Sequence, residues 1–463
     1  MRDPIRLQPI SAINERARAY FKTDATLPYA FRMQKLQALA DGIRKFQPQI
    51  LKAMYDDLGK SEIEAYVAEV GVVMKDIHHT QKHLKKWMKP RRVPTQLALL
   101  PGRSWIVPEP LGTALIIAPW NYPVNLLLAP LVGAISAGCT SVLKPSELTP
   151  NVERVMAELI QDVFGDDGFV TLVKGGVAES EKLLAEKWDH IFFTGSTRIG
   201  KVVMAAAAKH LTPVTLELGG KNPTLVDAGV DLTVTGRRIA WGRCYNAGQT
   251  CVATDYVLVH HSIKDQLVQS IIAGIKEFYG DDPARSPNYS KIVNAHHVRR
   301  LKALLNTGRI AYGGNCDEEA RYFQPTIVVD PAMDSALMAD ETFGPILPIV
   351  GVDSWRDAVN LVRERPRPLT LYAFSNDAAH LEEVSQRTSS GALVINDAVV
   401  HFASDDLPFG GVGDSGMGGY HGRASFQTFS HDKPVLKRYF FGDLALRYPH
   451  GKGTIEIWKR LLG

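Results

Sequence analysis

Cysteine is scarce in this chain: Cys139, Cys244, Cys251 and Cys316 are the only four in 463 residues, and no two form a C-x-x-C pair. That excludes a disulfide scaffold and a ribbon-type zinc site, and it predicts a reducing compartment in which each thiol stays free for chemistry. Excess charge is also lacking. The 53 Lys and Arg against 49 Asp and Glu leave +4, too little to imply a polyanion partner. The opening residues, MRDPIRLQPI, contain no apolar core of signal-peptide length, so no secretion signal is expected. Repeats and low-complexity segments are absent, and 38 Gly and 27 Pro are ordinary usage. The hydrophobic share of 45% and charged share of 22% exclude a disordered or fibrous chain. At roughly 150 residues per domain, this length predicts two or three domains with a large core.

Long uninterrupted apolar runs are missing too, with one stretch that needs an argument. No charged residue occurs from Leu111 to Leu143, long enough on length alone to span a bilayer. Pro119, Asn121, Pro123, Asn125 and Pro130 punctuate it, however. The reading is a buried strand, a loop and a buried helix.

What is present is alternation. From Tyr29 to Met88 the pattern is helical, with Leu36, Leu39, Ile43, Phe46, Ile50, Leu51 and Met54 at three- and four-residue steps. Arg103–Pro110 reads as an extended arm or edge strand, since it carries two prolines. Apolar strands then follow at Gly112–Pro119, Thr140–Pro145 and Asp189–Gly195. A helix lies between the last two, with Val152, Val155, Met156, Leu159, Ile160 and Val163 on one face, Thr149 as its cap and Pro150 in its first position. The alternation restarts after Gly219-Gly220, with strands at Pro223–Asp227, Asp255–His260, Leu369–Ser375 and Ala392–Asp397. Apolar strands separated by amphipathic helices predict parallel sheets covered on both faces, in two α/β domains. Beyond Ser425 the chain becomes extended again.

Four segments carry chemistry. Gly411-Val-Gly413-Asp-Ser-Gly416 matches G-x-G-x-x-G by letter, but no helix follows it, so it reads as a glycine-rich loop lining something. In FFTGSTRIGKVVMAAAAKH, strand Ile191–Phe193 runs through Gly195–Gly200 into an alanine-rich helix, whose free N–H groups would suit a pyrophosphate; a plain strand–helix turn is the competing reading. Cys251, in Asn246-Ala-Gly-Gln-Thr-Cys251, is a candidate nucleophile in a small-residue loop. A buried structural cysteine is its alternative, a role that suits Cys139 and Cys316 better. Glu217, in Leu216-Glu-Leu-Gly-Gly-Lys221, would become a usable base near neutral pH if burial raised its pKa; an ion-paired core carboxylate is the plainer account.

These segments are not independent. Pro119-Trp-Asn-Tyr-Pro123, Lys144-Pro-Ser-Glu147, Phe193-Thr-Gly-Ser-Thr197, Leu216–Lys221, Gly248-Gln-Thr-Cys251, Glu341-Thr-Phe-Gly-Pro345 and Pro408-Phe-Gly-Gly411 occur in this order. From about Tyr29 to Tyr448 the chain resembles the NAD(P)-dependent aldehyde dehydrogenase superfamily. The helix Glu69–Val93 and the segment Leu444–Pro449 are most similar to its class 3 branch, the fatty and aromatic aldehyde dehydrogenases.

The resemblance implies an α/β fold with a Rossmann-type NAD(P)-binding domain (1–87 and 111–217), a catalytic domain (218–422), an oligomerisation arm (88–110 and 423–448) and a tail (449–463). It implies that Cys251 attacks the aldehyde carbon and that Asn121 and the Cys251 backbone N–H hold the oxyanion. Glu217 would activate the water that hydrolyses the resulting thioester. Gly195, Ser196, Thr197, Arg198, Ile199 and Gly200 would lie at the pyrophosphate, and Lys144 and Glu147 at the adenosine ribose. Glu341 and Phe343 would lie at the nicotinamide ribose, with Trp120 and Leu218 nearby. NAD is the expected cofactor, with NADP tolerated because Lys144 offsets Glu147. Expected substrates are medium- or long-chain aliphatic, aromatic or polyene aldehydes, with Tyr122, Trp241, Tyr245, His401, Phe402 and Phe409 as candidate tunnel walls. A coenzyme A-acylating relative and a non-catalytic cofactor- or anionic-surface-binding protein are the alternatives, and Glu217 favours water over coenzyme A.

A homodimer is expected from the class 3 likeness, in a cytoplasmic setting. No metal is expected: His79 and His83 have helical ligand spacing but no third ligand, and read as a solvated basic face. Lys82, Lys85, Lys86, Lys89, Arg91 and Arg92 surround Trp87 and read as a solvated helix face rather than a nucleic-acid site. In the tail, Ile455, Trp458, Leu461 and Leu462 oppose Lys459 and Arg460. That is the outline of a short amphipathic helix, which either packs on its own subunit or lies weakly on a membrane surface.

Overall fold

The computed structural model describes residues 9–443, 448 and 455–462. Its first sheet has the strand order Gly416–Met417, Val214–Glu217, His190–Thr194, Thr113–Ile117, Thr140–Lys144, Val170–Leu172. All pair in parallel except Gly416–Met417, which closes one edge antiparallel. Every residue of Thr113–Ile117, Thr140–Lys144 and His190–Thr194 is buried, as expected of strands covered on both faces. Parallel strands deliver their carboxyl ends to one edge of a sheet. The segments bearing Trp120 and Asn121, Lys144, Gly195 and Glu217 therefore emerge together, where open α/β sheets bind ligands.

The second sheet runs Arg309–Tyr312, Thr326–Val329, Ile346–Val352, Tyr256–His260, Pro223–Val226, Thr370–Phe374, Ala392–Ile395, parallel apart from the first pair. The loop carrying Cys251 enters Tyr256–His260, and the Leu218–Asn222 turn joins the two sheets. A third, antiparallel sheet pairs Gly102–Pro110 with both Arg91–Val93 and Ser430–Arg438. The two segments read as an arm from sequence thus meet, although Arg423–Thr428 is helical rather than extended.

The long helical region is interrupted. Tyr29–Leu58 stops at Gly59, whose φ of 65° places it in the left-handed conformation common after helix ends. A short helix, Glu62–Ala65, then passes through a π turn at Tyr66–Val70 into Gly71–Trp87. The uncharged stretch forms strand Thr113–Ile117 and helix Asn125–Ala137, and no described helix is long and apolar enough to cross a membrane.

Two local expectations are corrected. Thr149 precedes helix Pro150–Phe164 but makes no cap bond; Asp57 takes that role, accepting from Asn151 N at 3.4 Å and Val152 N at 2.9 Å. His79 and His83 are half-buried rather than solvated: their rings lie 4.3 Å apart, and His79 Nδ1 sits 3.7 Å from Asp405. The basic run is exposed as expected, while Trp87 turns inward onto Phe426. Ile455–Leu462 is helical, but the side chains of Trp458, Leu461 and Leu462 lie outside the described set, as do residues 444–447 and 449–450.

Candidate active site

Cys251 follows a turn that the sequence makes at a cost. Asn246 and Ala247 hold φ of 52° and 50°, a left-handed region that Ala rarely occupies. Neighbours enforce it. The Gln249 amide donates to Asn246 O and Lys291 O, both at 3.0 Å, and its oxygen accepts from Val293 N at 2.9 Å. Asn222 donates to Cys251 O at 2.7 Å and Ala253 O at 3.1 Å, tying the Cys251 loop to the Leu218–Asn222 turn. Burial pushes the Cys251 thiol well up, and the nearby Glu341 and Glu217 carboxylates push it further.

Glu217 ends the strand Val214–Glu217, opposite Gly416. It is buried, and neither carboxylate oxygen has a hydrogen-bond partner among the described residues. Burial accordingly raises its pKa well above the usual range. Cys251 and Glu217 line the same cavity, walled by Tyr122, Leu126, Val252, Phe402, Phe409 and Tyr420. Of the aromatic residues expected there, Tyr122, Phe402 and Phe409 line it, whereas Trp241, Tyr245 and His401 do not. Trp241 packs on Tyr245 at 5.1 Å, and His401 stacks on the wall residue Phe409 at 5.7 Å. Asn121 is buried and does not itself line the cavity; its side-chain amide donates to Gln249 O at 3.0 Å, close in sequence to Cys251. That leaves one amide hydrogen for a ligand.

On the other side of Glu217, Ser196 caps helix Thr197–Ala208 by accepting from Ile199 N at 3.4 Å. The exposed Ser196 and Arg198 leave this helix start open. A Cβ at Gly200 would come within 2.7 Å of Leu218, and one at Gly195 within 2.4 Å of the Phe193 ring. The Gly411–Gly416 loop touches this region as well: Thr197 donates to Asp414 O at 3.1 Å and Leu218 N to Ser415 O at 3.1 Å. It packs beside the start of helix Thr197–Ala208, and no helix follows it directly. Lys144 is buried with Nζ 4.0 Å from the half-exposed Glu147. Burial lowers its pKa, and Glu147 opposes that shift.

Glu341 and Phe343 sit on a loop with Phe343 at φ 45°. Glu341 Oε1 is buried without a partner among the described residues, and a Cβ on Gly219 would fall 2.0 Å from Oε2, so a side chain there would displace the Glu341 carboxylate. Trp120 meets the Phe343 ring edge-on at 5.3 Å. The loop is pinned by groups the sequence reading passed over. Arg300 donates to Thr342 O at 2.7 Å and Lys221 to Thr342 Oγ1 at 2.9 Å, while Asp255 accepts from Thr342 N, Lys221 and Arg243. Lys221 was visible in the Leu216–Lys221 segment; Arg243 and Asp255 carried no signal of their own. Lys60, Glu64 and Glu69 were missed too, although Lys60 donates to Asn121 O and Glu64 accepts from Asn246 N. Among the described residues, no group of three His, Cys, Asp or Glu side chains is placed to hold a metal.

This arrangement has close counterparts. The aldehyde dehydrogenase family matches residues 7–435. Over 96% of this chain and 97% of its own length, the 4,4'-diaponeurosporen-aldehyde dehydrogenase of Staphylococcus aureus is 45% identical. The rat aldehyde dehydrogenase family 3 member A2 is also 45% identical, over 96% of this chain and 92% of its own. The dog "aldehyde dehydrogenase, dimeric NADP-preferring" is 44% identical over 96% and 98%. A solved structure described as the substrate-bound state of Staphylococcus aureus AldH superposes with a TM-score of 0.96 at 44% identity, over 99% of this chain and all of that one. The chain belongs to the aldehyde dehydrogenase family, alongside its class 3 members, and is an oxidoreductase that converts aldehydes to carboxylic acids.

Proposed function

We propose that Cys251 is the nucleophile and Glu217 the general base of this oxidation. The observation carrying that reading is that both line one apolar cavity while Glu217 has two buried, unpartnered oxygens. An unsatisfied buried carboxylate costs stability, and water or a thiol proton would supply what it lacks. The Cys251 sulfur adds to the aldehyde carbon, and its proton leaves toward Glu217. The spare hydrogen of Asn121 and the Cys251 backbone N–H receive the oxyanion, a contact worth about 2.7–4 kcal/mol per donor. NAD or NADP, when bound, accepts hydride from that carbon. Glu217 passes the thiol proton to solvent and, ionised again, takes a proton from water as the water oxygen attacks the thioester; the acid leaves, and the Cys251 thiolate takes the proton back from Glu217. Water rather than coenzyme A is the acceptor, because the base lies in the cavity itself.

The residues fit a dinucleotide. The buried, unpartnered Glu341 Oε1 would accept from a ribose hydroxyl, and the open helix start at Ser196 would take the pyrophosphate. Lys144 and Glu147 would share the second ribose. Their 4.0 Å separation supports NAD as the main cofactor with NADP tolerated, since the ammonium offsets Glu147 against a 2′-phosphate. On this reading 1–87 and 111–217 form the cofactor domain and 218–422 the catalytic domain. The three-stranded sheet from 88–110 and 423–448 serves as a dimer arm, in keeping with the relative named dimeric. The four free cysteines support a reducing, cytoplasmic setting. For the tail 449–463, packing on its own subunit is favoured over weak membrane contact, because the helix is only eight residues long.

The apolar wall favours medium- or long-chain, aromatic or polyene aldehydes, and the Staphylococcus aureus relative is named for a polyene aldehyde. A panel from acetaldehyde to hexadecanal, with benzaldehyde and retinal, tests both levels in one assay. Wild type is expected to prefer the larger substrates, and Cys251→Ala to make no NAD(P)H while still binding cofactor. Acetaldehyde as best substrate would overturn the cavity reading, and turnover by Cys251→Ala would overturn the nucleophile.

A further inference from the structure

Residues 60–69 lie outside all seven motifs, yet they reach both loops of the site. Lys60 is fully buried, its Nζ 2.7 Å from Glu69 Oε1, 2.8 Å from the backbone oxygen of Asn121 and 4.0 Å from the centre of the Tyr122 ring. The other Glu69 oxygen accepts from Val124 N and Asn125 N, each at 2.9 Å. Glu64 reaches the second loop: its Oε1 accepts from Asn246 N at 2.9 Å and from the Ser290 hydroxyl at 3.4 Å. Asn246 joins the two, its amide donating to Asn121 O at 2.9 Å and Gln249 O at 3.2 Å.

The backbone is shaped for this. On a regular helix, residues five apart diverge by about 140° at 3.6 residues per turn. The π turn at Tyr66–Val70 widens the helix between Glu64 and Glu69, and both carboxylates point inward. Burying one ammonium and two carboxylates is unfavourable compared with apolar residues of similar size, so stability alone does not account for them.

We propose that Lys60, Glu69 and Glu64 are positioning residues, a three-charge clamp that holds the Asn121 loop in register with the Cys251 loop. Lys60 and Glu69 fix the peptide that carries the Asn121 amide, while Glu64 holds Asn246 in its left-handed conformation at the head of the nucleophile loop. The inference rests on the roles given above to Asn121 and Cys251.

The test separates reactions that build an oxyanion from one that does not. Aldehyde oxidation and cofactor-free hydrolysis of 4-nitrophenyl acetate both pass through a tetrahedral oxyanion. Alkylation of Cys251 by iodoacetamide displaces iodide at a saturated carbon and forms none. In Glu69→Gln, both carbonyl reactions are expected to fall about 10- to 100-fold, while alkylation and KM for NAD stay within about two-fold. Lys60→Met combined with Glu69→Met removes both partners of the ion pair at once, keeps the test valid if single variants unfold, and should show the same split. Glu64→Leu, which frees the nucleophile loop, should slow alkylation as well. Unchanged carbonyl rates in the folded double variant would overturn the clamp. So would a parallel fall of carbonyl and alkylation rates in Glu69→Gln, which marks general disorder of the site. Turnover by Cys251→Ala is a different result: it removes the site reading beneath the clamp.

Discussion

Asp255 and Glu217 are two buried carboxylates of the same molecule with opposite surroundings. Asp255 is 1% exposed and accepts from Arg243 at 2.7 Å, Thr342 N at 3.1 Å and Lys221 at 3.2 Å. Burial would raise its pKa, but Lys221, Arg243 and the Thr342 bonds together hold it below the ordinary value. Glu217 is 2% exposed and has no hydrogen-bond partner among the described residues, so burial acts unopposed and raises its pKa. Burial is the same in both cases, and the partners decide the outcome. A carboxylate surrounded by donors anchors backbone; one left without them holds a proton-transfer capacity that the fold does not use for itself.

Replacing Glu217 with Gln sharpens that contrast most. Aldehyde turnover should drop by about 10²–10⁴-fold, the usual contribution of general acid–base catalysis. Stability should move the other way. A carboxyl whose folded pKa lies above its unfolded value favours folding below that unfolded value, and the benefit is lost as pH rises through the folded value. Wild type should therefore lose stability toward alkaline pH, and Glu217→Gln should lose less. Urea melts at about pH 6 and about pH 9 measure the difference. A variant equally sensitive to alkali would show that Glu217 is already solvated.

Asp255→Asn breaks the comparison from the other side. Removing one partner of a buried ion pair costs about 3–5 kcal/mol because the remaining charges stay buried. Here the pH sign reverses. A depressed pKa contributes stability above the unfolded value of about 3.9, lost as pH falls through the folded value. The variant should thus be less stable near neutrality yet lose less on acidification, visible in urea midpoints taken from about pH 7 down to about pH 2. A cost near zero would mean that Lys221 and Arg243 reach water when Asp255 is gone.

The same contrast explains what could be read in advance. Cys251, Glu217, Gly195–Gly200 and Glu341 occupy strand ends and glycine turns, where local geometry restricts residue choice and leaves ordered signatures in sequence. Lys60, Glu64 and Glu69 lie in a helical pattern where charged positions ordinarily face solvent, and their partners Asn121 and Asn246 are 61 and 182 residues away. Nothing in the letters announces the π turn that directs both glutamates inward. Trp241, Tyr245 and His401 were read as tunnel walls because they are bulky and near the motifs, but proximity in sequence did not tell which bulky side chains line the cavity. Tyr420, which does line the cavity, follows the glycine-rich Gly411–Gly419 region, where no element pattern fixed its direction.

Asp57 gives the smallest test of the partner rule and the most exact, because it is buried and, among the described residues, its carboxylate accepts only from neutral donors. Its carboxylate accepts from Val152 N at 2.9 Å and from the Asn151 side chain at 2.7 Å, at the start of helix Pro150–Phe164. No cation is stranded when it is removed, so Asp57→Ala should cost about 0.5–2 kcal/mol, the range for a lost helix cap and less than the loss at Asp255. Thr149 occupies the position where a local rule would put that cap, but its hydroxyl instead donates to Ser146 O at 3.5 Å. Thr149→Ala should therefore lie within about 0.5 kcal/mol of wild type in the same urea experiment. If Thr149→Ala proved costlier than Asp57→Ala, the cap would be local after all, and the distant carboxylate from helix Tyr29–Leu58 would count as packing rather than as an acceptor of backbone N–H groups.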